Sequence, residues 1–306
     1  MKITIGSRGS SLALWQANWV KDRLTFAGHE VRIEIIKTSG DKLLTAALVA
    51  SGTKGLFIKE IEEALLAGQV DLAVHSMKDL PTDLPEGVCV AVVPEREDPH
   101  DALVSEGGLL FEALPARARI GTSSLRRQSQ LLALRSDLEV VAMRGNVDTR
   151  LHKLERGDCE ALVLAAAGLK RLGFASRITS WFREDEICPA VGQGALALEI
   201  STRNAAVKEA VAELDHPATH QAVRAERALL KALGGGCLLP IAAYAKHEFA
   251  KLQLTGVVAD PAGTQVVRAA AMGDSANPEE LGARVASELL EKGARELLNP
   301  SESQPR

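Results

Sequence analysis

Short apolar runs alternate with longer segments of helical spacing through the first 95 or so residues, and this alternation restricts the chain to an α/β fold. Lys2–Gly6 reads as a strand, and Ser10 to about Phe26 reads as a helix stopped by Gly28. Val31–Thr38 alternates like a strand, and Leu56–Ala67 is helical up to Gly68. Val70–Met77 and Gly87–Val93 read as further strands. The charged, proline-bearing stretch Pro94–Asp101 suits a crossing between domains.

A second α/β unit follows. Ala118–Gly121 and Leu138–Met143 read as strands, and Leu125–Arg135, Val147–Arg156 and Ala165–Leu172 as helices. Glu184–Gly194 is a second crossing, after which Ala195–Ile200 reads as a strand that returns to the first domain. Asn204–Leu214 is then helical. The remainder changes character. A helix over Thr219–Leu233 ends at three glycines. Strands over Ile241–Ala245, Leu252–Ala259 and Gln265–Ala271 and a closing helix over Pro278–Leu298 make a small α+β domain. The expected domains are 1–96 with 195–215, 101–190, and 217–306, with the tail from Asn299 left disordered.

Bulk properties narrow the function. No run approaches the ~18 apolar residues of a membrane span. Met1-Lys-Ile-Thr-Ile reads as a strand rather than a secretion signal. Cys89, Cys159, Cys188 and Cys237 are scattered without metal-ligand spacing, so free thiols, a cytoplasmic location and no metal are expected. No large apolar stripe is evident, so a monomer is expected. The net charge is −4, yet Arg117–Arg183 holds 11 Arg and 2 Lys against 6 acidic residues. Arginine's planar fork matches carboxylates and phosphates bidentately. A pI near 6.0 and 3% aromatics argue against a nucleic-acid binder that uses this stretch.

Five clusters sit at predicted element ends, where open α/β sheets place ligands. Ser7-Arg8-Gly9-Ser10-Ser11 opens a helix, where free N–H groups favour anions; Ser10 or Ser11 as a plain N-cap is the alternative. Gly121-Thr-Ser-Ser-Leu-Arg126-Arg127 gathers hydroxyls, N–H groups and two arginines in one turn. Arg144-Gly-Asn-Val-Asp-Thr-Arg150 adds two more cations, with Arg171 beyond. His75-Ser-Met-Lys78-Asp79 ends a buried strand and is a candidate for acid/base or charge-stabilising work, against a plain surface turn. Gly234-Gly-Gly-Cys237 presents a thiol that is either an attachment point or a structural cysteine.

Eight segments in order resemble the porphobilinogen deaminase (hydroxymethylbilane synthase) family: RGSSLALWQA from Arg8, KGLFIKEIE from Lys54, AVHSMKDLP from Ala73, GTSSLRRQ from Gly121, RGNVDTR from Arg144, GLKRLG from Gly168, PAVGQGALA from Pro189 and GGGCLLPIAAYA from Gly234. The resemblance implies two domains like those of periplasmic binding proteins, with two crossings, and a small third domain carrying a three-stranded antiparallel sheet and helices. It implies a transferase that joins four porphobilinogen molecules head to tail, releasing ammonia, to give hydroxymethylbilane for tetrapyrrole synthesis. The primer is a dipyrromethane cofactor held by a thioether to Cys237. The catalytic aspartate falls on Asp79. Binding positions fall on Arg8, Ser10, Lys54, Lys78, Thr122, Ser124, Arg126, Arg127, Arg144, Arg150 and Arg171. Asp148 departs from the family pattern; it either repels the substrate's acids or sits at a helix N-terminus. A cytoplasmic, non-enzymatic two-domain binder of a polycarboxylated small molecule is the competing reading, which the Cys237 loop does not fit.

Overall fold

The computed structural model describes residues 1–38, 58–235 and 239–298. The chain begins with β1 (Lys2–Ser7), α1 (Ser11–Phe26), β2 (Glu30–Ile35), α2 (Lys59–Leu66), β3 (Leu72–Ser76) and β4 (Val88–Val92). It continues with β5 (Asp101–Ser105), β6 (Arg119–Gly121), α3 (Leu125–Leu134), β7 (Glu139–Val141), α4 (Val147–Glu155), β8 (Ala161–Ala165), α5 (Ala166–Arg171) and β9 (Ser180–Trp181). It ends with β10 (Leu196–Ser201), α6 (Ala205–Val211), α7 (Pro217–Ala232), β11 (Ile241–Glu248), β12 (Lys251–Ala259), β13 (Val266–Gly273), α8 (Pro278–Leu289) and α9 (Arg295–Leu298). By packing, these form two units, Met1–Glu97 with Gly194–His220, and Asp98–Gln193 with Gln221–Arg306.

The first unit is built on a five-stranded mixed sheet, ordered β2-β1-β3-β10-β4. Strand β10 runs antiparallel to both neighbours, with Ala197 opposite His75 and Ile200 opposite Cys89. Its two faces bury different cores. Ile3, Ile5, Leu72, Val74 and Leu198 pack with Ala17, Val20 and Leu24 of α1. Ala73 and Val88 pack with Ile61, Ala64 and Leu65 of α2. Strand β3 opens with the apolar run Leu72-Ala73-Val74 because it is covered on both faces, and it ends in His75 and Ser76.

The second unit holds two sheets. One is five-stranded, ordered β7-β6-β8-β5-β9, and the other is the antiparallel β11-β12-β13. Three of these strands, β5, β8 and β9, are absent from the sequence reading. Strand β5 follows a charged segment directly, and β8 passes into α5 through Ala165-Ala166 with no polar break. The sheet β11-β12-β13 buries Leu252, Leu254 and Val258 against Ala225 and Leu229 of α7 and Val285 and Leu289 of α8. The expected closing helix is interrupted: a π-type turn over Leu290–Ala294 divides it, with Gly293 at φ 103°.

The β12–β13 turn lies close against α3. Gly263 has φ 71°, and a Cβ there would come 2.4 Å from the Ser129 carbonyl oxygen, so only glycine fits. The Gln128 side-chain amide donates to the Pro261 carbonyl at 3.2 Å in the same contact. The buried Glu226 of α7 accepts from the backbone N–H groups of Gly192 at 2.6 Å and Ala245 at 2.9 Å, tying the segment after Pro189 to β11.

Candidate functional site

The first unit carries a pocket at the C-terminal end of β3, lined among others by Arg8, Ser10, Gln16, His75, Ser76 and Asp79. Asp79 closes the single 3-10 turn Met77–Asp79 that follows the strand. Its carboxylate is half-buried and accepts no hydrogen bond from any described residue, which leaves it available to a ligand. Burying an acid without a protein partner is costly, so sites that keep one are candidates for chemistry. Ser10 caps α1, its hydroxyl accepting from Ala13 N–H at 3.4 Å, and it also lines the pocket. The Gln16 amide, which the sequence did not single out, donates to Ser76 Oγ at 2.8 Å and braces the strand end. Arg8 and Lys78 are half-buried near this turn. Lys54 lies outside the described residues.

The second unit explains where the arginines go. Six of the eleven between Arg117 and Arg183 are paired with surface acids: Arg117 with Glu139, Arg119 with Glu160, Arg135 with Asp137, Arg156 with Asp158, Arg177 with Glu155 and Arg183 with Asp185. Such pairs contribute little to stability and bind no ligand. The local charge excess therefore overstates the ligand-facing cation.

Arg126 and Arg127 converge on the fully buried Asp101. Arg126 Nη1 donates to Asp101 Oδ2 at 2.6 Å and to the Cys188 carbonyl at 2.7 Å. Arg127 Nε donates to Asp101 Oδ1 at 2.8 Å, Nη1 to the Val163 carbonyl at 3.1 Å and Nη2 to Gln193 Oε1 at 3.4 Å. Gln193 Nε2 adds a bond to Asp101 Oδ1 at 3.0 Å. Burial pushes the Asp101 carboxyl up, but the Arg126 and Arg127 charges outweigh it and hold it well below the usual range. The two arginines are not equivalent. Every nitrogen of Arg127 has an acceptor, whereas Nε and Nη2 of Arg126 have none among the described residues. Sequence reasoning missed Asp101. Two adjacent arginines buried at a helix start require a counter-charge, and that requirement was the available signal.

Around this network the helix starts fall as expected. Thr122 is buried and its Oγ1 accepts from Ser124 N–H at 3.2 Å, while Ser124 caps α3 by accepting from Arg127 N–H at 3.4 Å. Arg150 lies on α4, its Nε donating to the Gly145 carbonyl at 2.8 Å. Gly145 sits at φ 114°, a conformation that turns this carbonyl toward the helix. Arg150 has no carboxylate partner among the described residues; burial, and then the nearby Arg127 charge, push its guanidinium down to about 10. A half-buried cation with no carboxylate partner among the described residues, within reach of the Arg127 charge, fits a carboxylate-bearing group such as a dipyrromethane with its acetate and propionate arms. Arg144 is exposed, and Arg171 is buried at the end of α5. Asp148 stands in the first turn of α4, where the helix dipole favours it. Cys237 lies outside the described residues. Among the described residues no helix is long and apolar enough to cross a membrane, and no group of three His, Cys, Asp or Glu is placed to hold a metal.

Residues 3–209 match the family model described as porphobilinogen deaminase, dipyromethane cofactor binding domain, and residues 220–291 match the model for the porphobilinogen deaminase C-terminal domain. The porphobilinogen deaminase of Geotalea uraniireducens is 51% identical over 97% of this chain and 93% of its own length. That of Carboxydothermus hydrogenoformans is 48% identical over 97% and 96%. Among solved structures, an arginine-specific periplasmic binding protein from Salmonella typhimurium aligns with TM-score 0.37 and 13% identity, over 76% of this chain and 93% of that one. With both family models matched and half of its residues shared with these relatives along almost its whole length, the chain belongs to the porphobilinogen deaminase family.

Proposed function

We propose that this protein is a hydroxymethylbilane synthase: it condenses four porphobilinogen molecules head to tail, releases one ammonia per bond, and yields hydroxymethylbilane for tetrapyrrole synthesis. The observation that carries this reading is the near full-length match to porphobilinogen deaminases. A dipyrromethane on Cys237 supplies the pyrrole carbon at which the chain starts to grow. The enzyme acts as a monomer in the cytoplasm and needs neither nucleic acid nor membrane.

Each substrate brings two carboxylates and an aminomethyl group. Arg150, with the Arg126 donors and the helix start at Thr122 and Ser124, binds carboxylates. Arg8, Lys54, Lys78, Arg144 and Arg171 serve further acid groups. In each cycle the aminomethyl C–N bond breaks and its electron pair leaves with ammonia. The pyrrole α-carbon of the growing chain attacks the resulting cation, forms the C–C bond and loses its proton. Asp79 stabilises that cation and helps to move the proton. A single fixed electrostatic partner of this type is worth roughly 3–4 kcal/mol.

Intact mass is the test of the class: a two-ring adduct is expected, and it disappears in Cys237→Ser. An unmodified mass in active protein would overturn the reading. Asp79→Ala is expected to keep the adduct and lose about 10²–10³ in kcat; normal turnover in that variant would remove Asp79 from the chemistry.

A further inference from the structure

Behind the Asp79 pocket lies a second group of charges that the reaction as described does not use. His75, on β3, lines the pocket and is itself buried. Its Nε2 lies 3.3 Å from Glu199 Oε2 on the neighbouring strand β10. Glu199 is 0% exposed, and the ladder to β4 shifts register between Leu198 and Glu199, a bulge that turns this side chain off the regular path. From α2, which covers the same face of the sheet, Glu62 adds a second buried carboxylate at 7% exposure.

None of these groups is satisfied. His75 Nε2, both Glu199 oxygens and Glu62 Oε1 are buried without a hydrogen-bond partner among the described residues. The 3.3 Å approach attracts charge but is misaligned for a hydrogen bond. A fold gains nothing from leaving four buried polar atoms unmatched, and such groups persist where function holds them.

We infer that Glu62 and Glu199 are positioning residues: with His75 between them and the pocket, they set a buried negative charge behind Asp79 that favours the cationic intermediate. This rests on Asp79 standing beside the reacting carbon. Burial, and then the Glu199 charge, push the Glu62 carboxyl up to about 7, with His75 pulling the other way. Among the described residues Glu60 of α2 adds a further buried carboxylate oxygen near the cluster, and across the sheet the Cys89 thiol of β4 is pushed up mainly by burial, with the Lys208 charge pulling it down and the Glu199 charge adding to the rise. Glu62 is thus neutral on the acid side and ionised on the alkaline side of about 7. Each ionisation adds one negative charge behind the pocket, so turnover rises with pH through that midpoint.

The test compares kcat and KM for porphobilinogen across about pH 5.5–9, in primer-loaded wild type, Glu62→Gln and Glu62→Asp. Glu62→Gln is expected to flatten the rise near pH 7 and lower the plateau about three- to tenfold, as expected of one charge roughly 10–15 Å from the cation at an effective dielectric near 20. KM and the intact mass stay at wild-type values, and Glu62→Asp restores a titrating limb. A folded, loaded Glu62→Gln with the wild-type profile overturns the inference. Should that variant fail to fold or load, infrared titration of the wild-type holoenzyme decides: a protonated carboxyl persisting toward pH 7 is expected, and its absence overturns the inference as well. Full turnover in Asp79→Asn would instead sink the Asp79 reading on which this one stands. An inactive Asp79→Asn beside an unchanged Glu62→Gln profile would sink this inference alone.

Discussion

Asp101→Asn is the most incisive perturbation of the arginine network, because it preserves shape while removing one charge. In the wild type Asp101 is 0% exposed, with Arg126 Nη1 at 2.6 Å and Arg127 Nη2 at 2.7 Å, and both arginines are about nine-tenths buried. A unit pair at roughly 3–4 Å is worth about 4–5 kcal/mol at an effective dielectric of about 20, before desolvation is subtracted. Desolvation of all three ions was already incurred on folding, and the variant still incurs it for two unpaired guanidinium groups. Breaking a buried pair from one side typically costs about 3–5 kcal/mol. In a unit of this size that lowers Tm by about 6–20 °C. The pH dependence has a definite sign. The folded-state carboxyl lies below the ordinary value of 3.8, so its stabilisation is fully present above that value and is lost as pH falls toward the folded-state value. The gap between wild type and variant, measured by urea unfolding, is therefore wide at neutral pH and closes below about pH 4. A variant within about 1 kcal/mol of wild type at neutral pH refutes the account of Asp101 as the counter-charge.

Other perturbations separate binding from architecture. Arg150→Ala removes a partly desolvated cation with no acid partner, so it is expected to raise KM about 10- to 100-fold without lowering Tm; an unchanged KM would exclude Arg150 from the ligand site. Gly282→Ala would place a Cβ 2.5 Å from the Ala225 carbonyl oxygen and 2.8 Å from Leu229 N, forcing α7 and α8 apart at a cost of about 2–3 kcal/mol, readable by urea unfolding. Glu226→Gln replaces one of two accepting oxygens with a donor, orphaning the N–H of Gly192 or Ala245; a loss of about 1–3 kcal/mol is expected by the same assay.

The sequence exposes the parts of this protein that obey local rules. Helix α1 announces itself through Ser10 and Gly28, and the hairpin β12–β13 through Asp260-Pro-Ala-Gly. The return of β10 to the first sheet is legible because two proline-bearing crossings flank one α/β segment. Strands β5 and β8 stay hidden since both faces are covered, which erases the period of two on which strand reading depends. Charged residues mislead for a related reason. Glu199 in Leu-Ala-Leu-Glu-Ile-Ser looks like a solvent-facing position, yet it is wholly buried. Asp101 and Arg126 are 25 residues apart, and only the tertiary fold brings them together. The site motifs were readable as a set, whereas the partners that orient them were not.

The antiparallel strand β10 also orders events during synthesis. It separates β3 from β4 in the first sheet, so β4 has no other strand beside it until β10 emerges. Roughly 100 residues lie between Val92 and Leu196, which at about 5–20 residues per second is a wait of about 5–20 s on the ribosome. Throughout that interval β3, made of Leu72, Ala73, Val74, His75 and Ser76, presents an unpaired edge to the cell, the kind of edge that recruits stray strands. The segment that ends in Asp79 thus waits with one strand edge free until β10 arrives. A chaperone that shields residues 72–92 would act within that interval, before the first sheet can close.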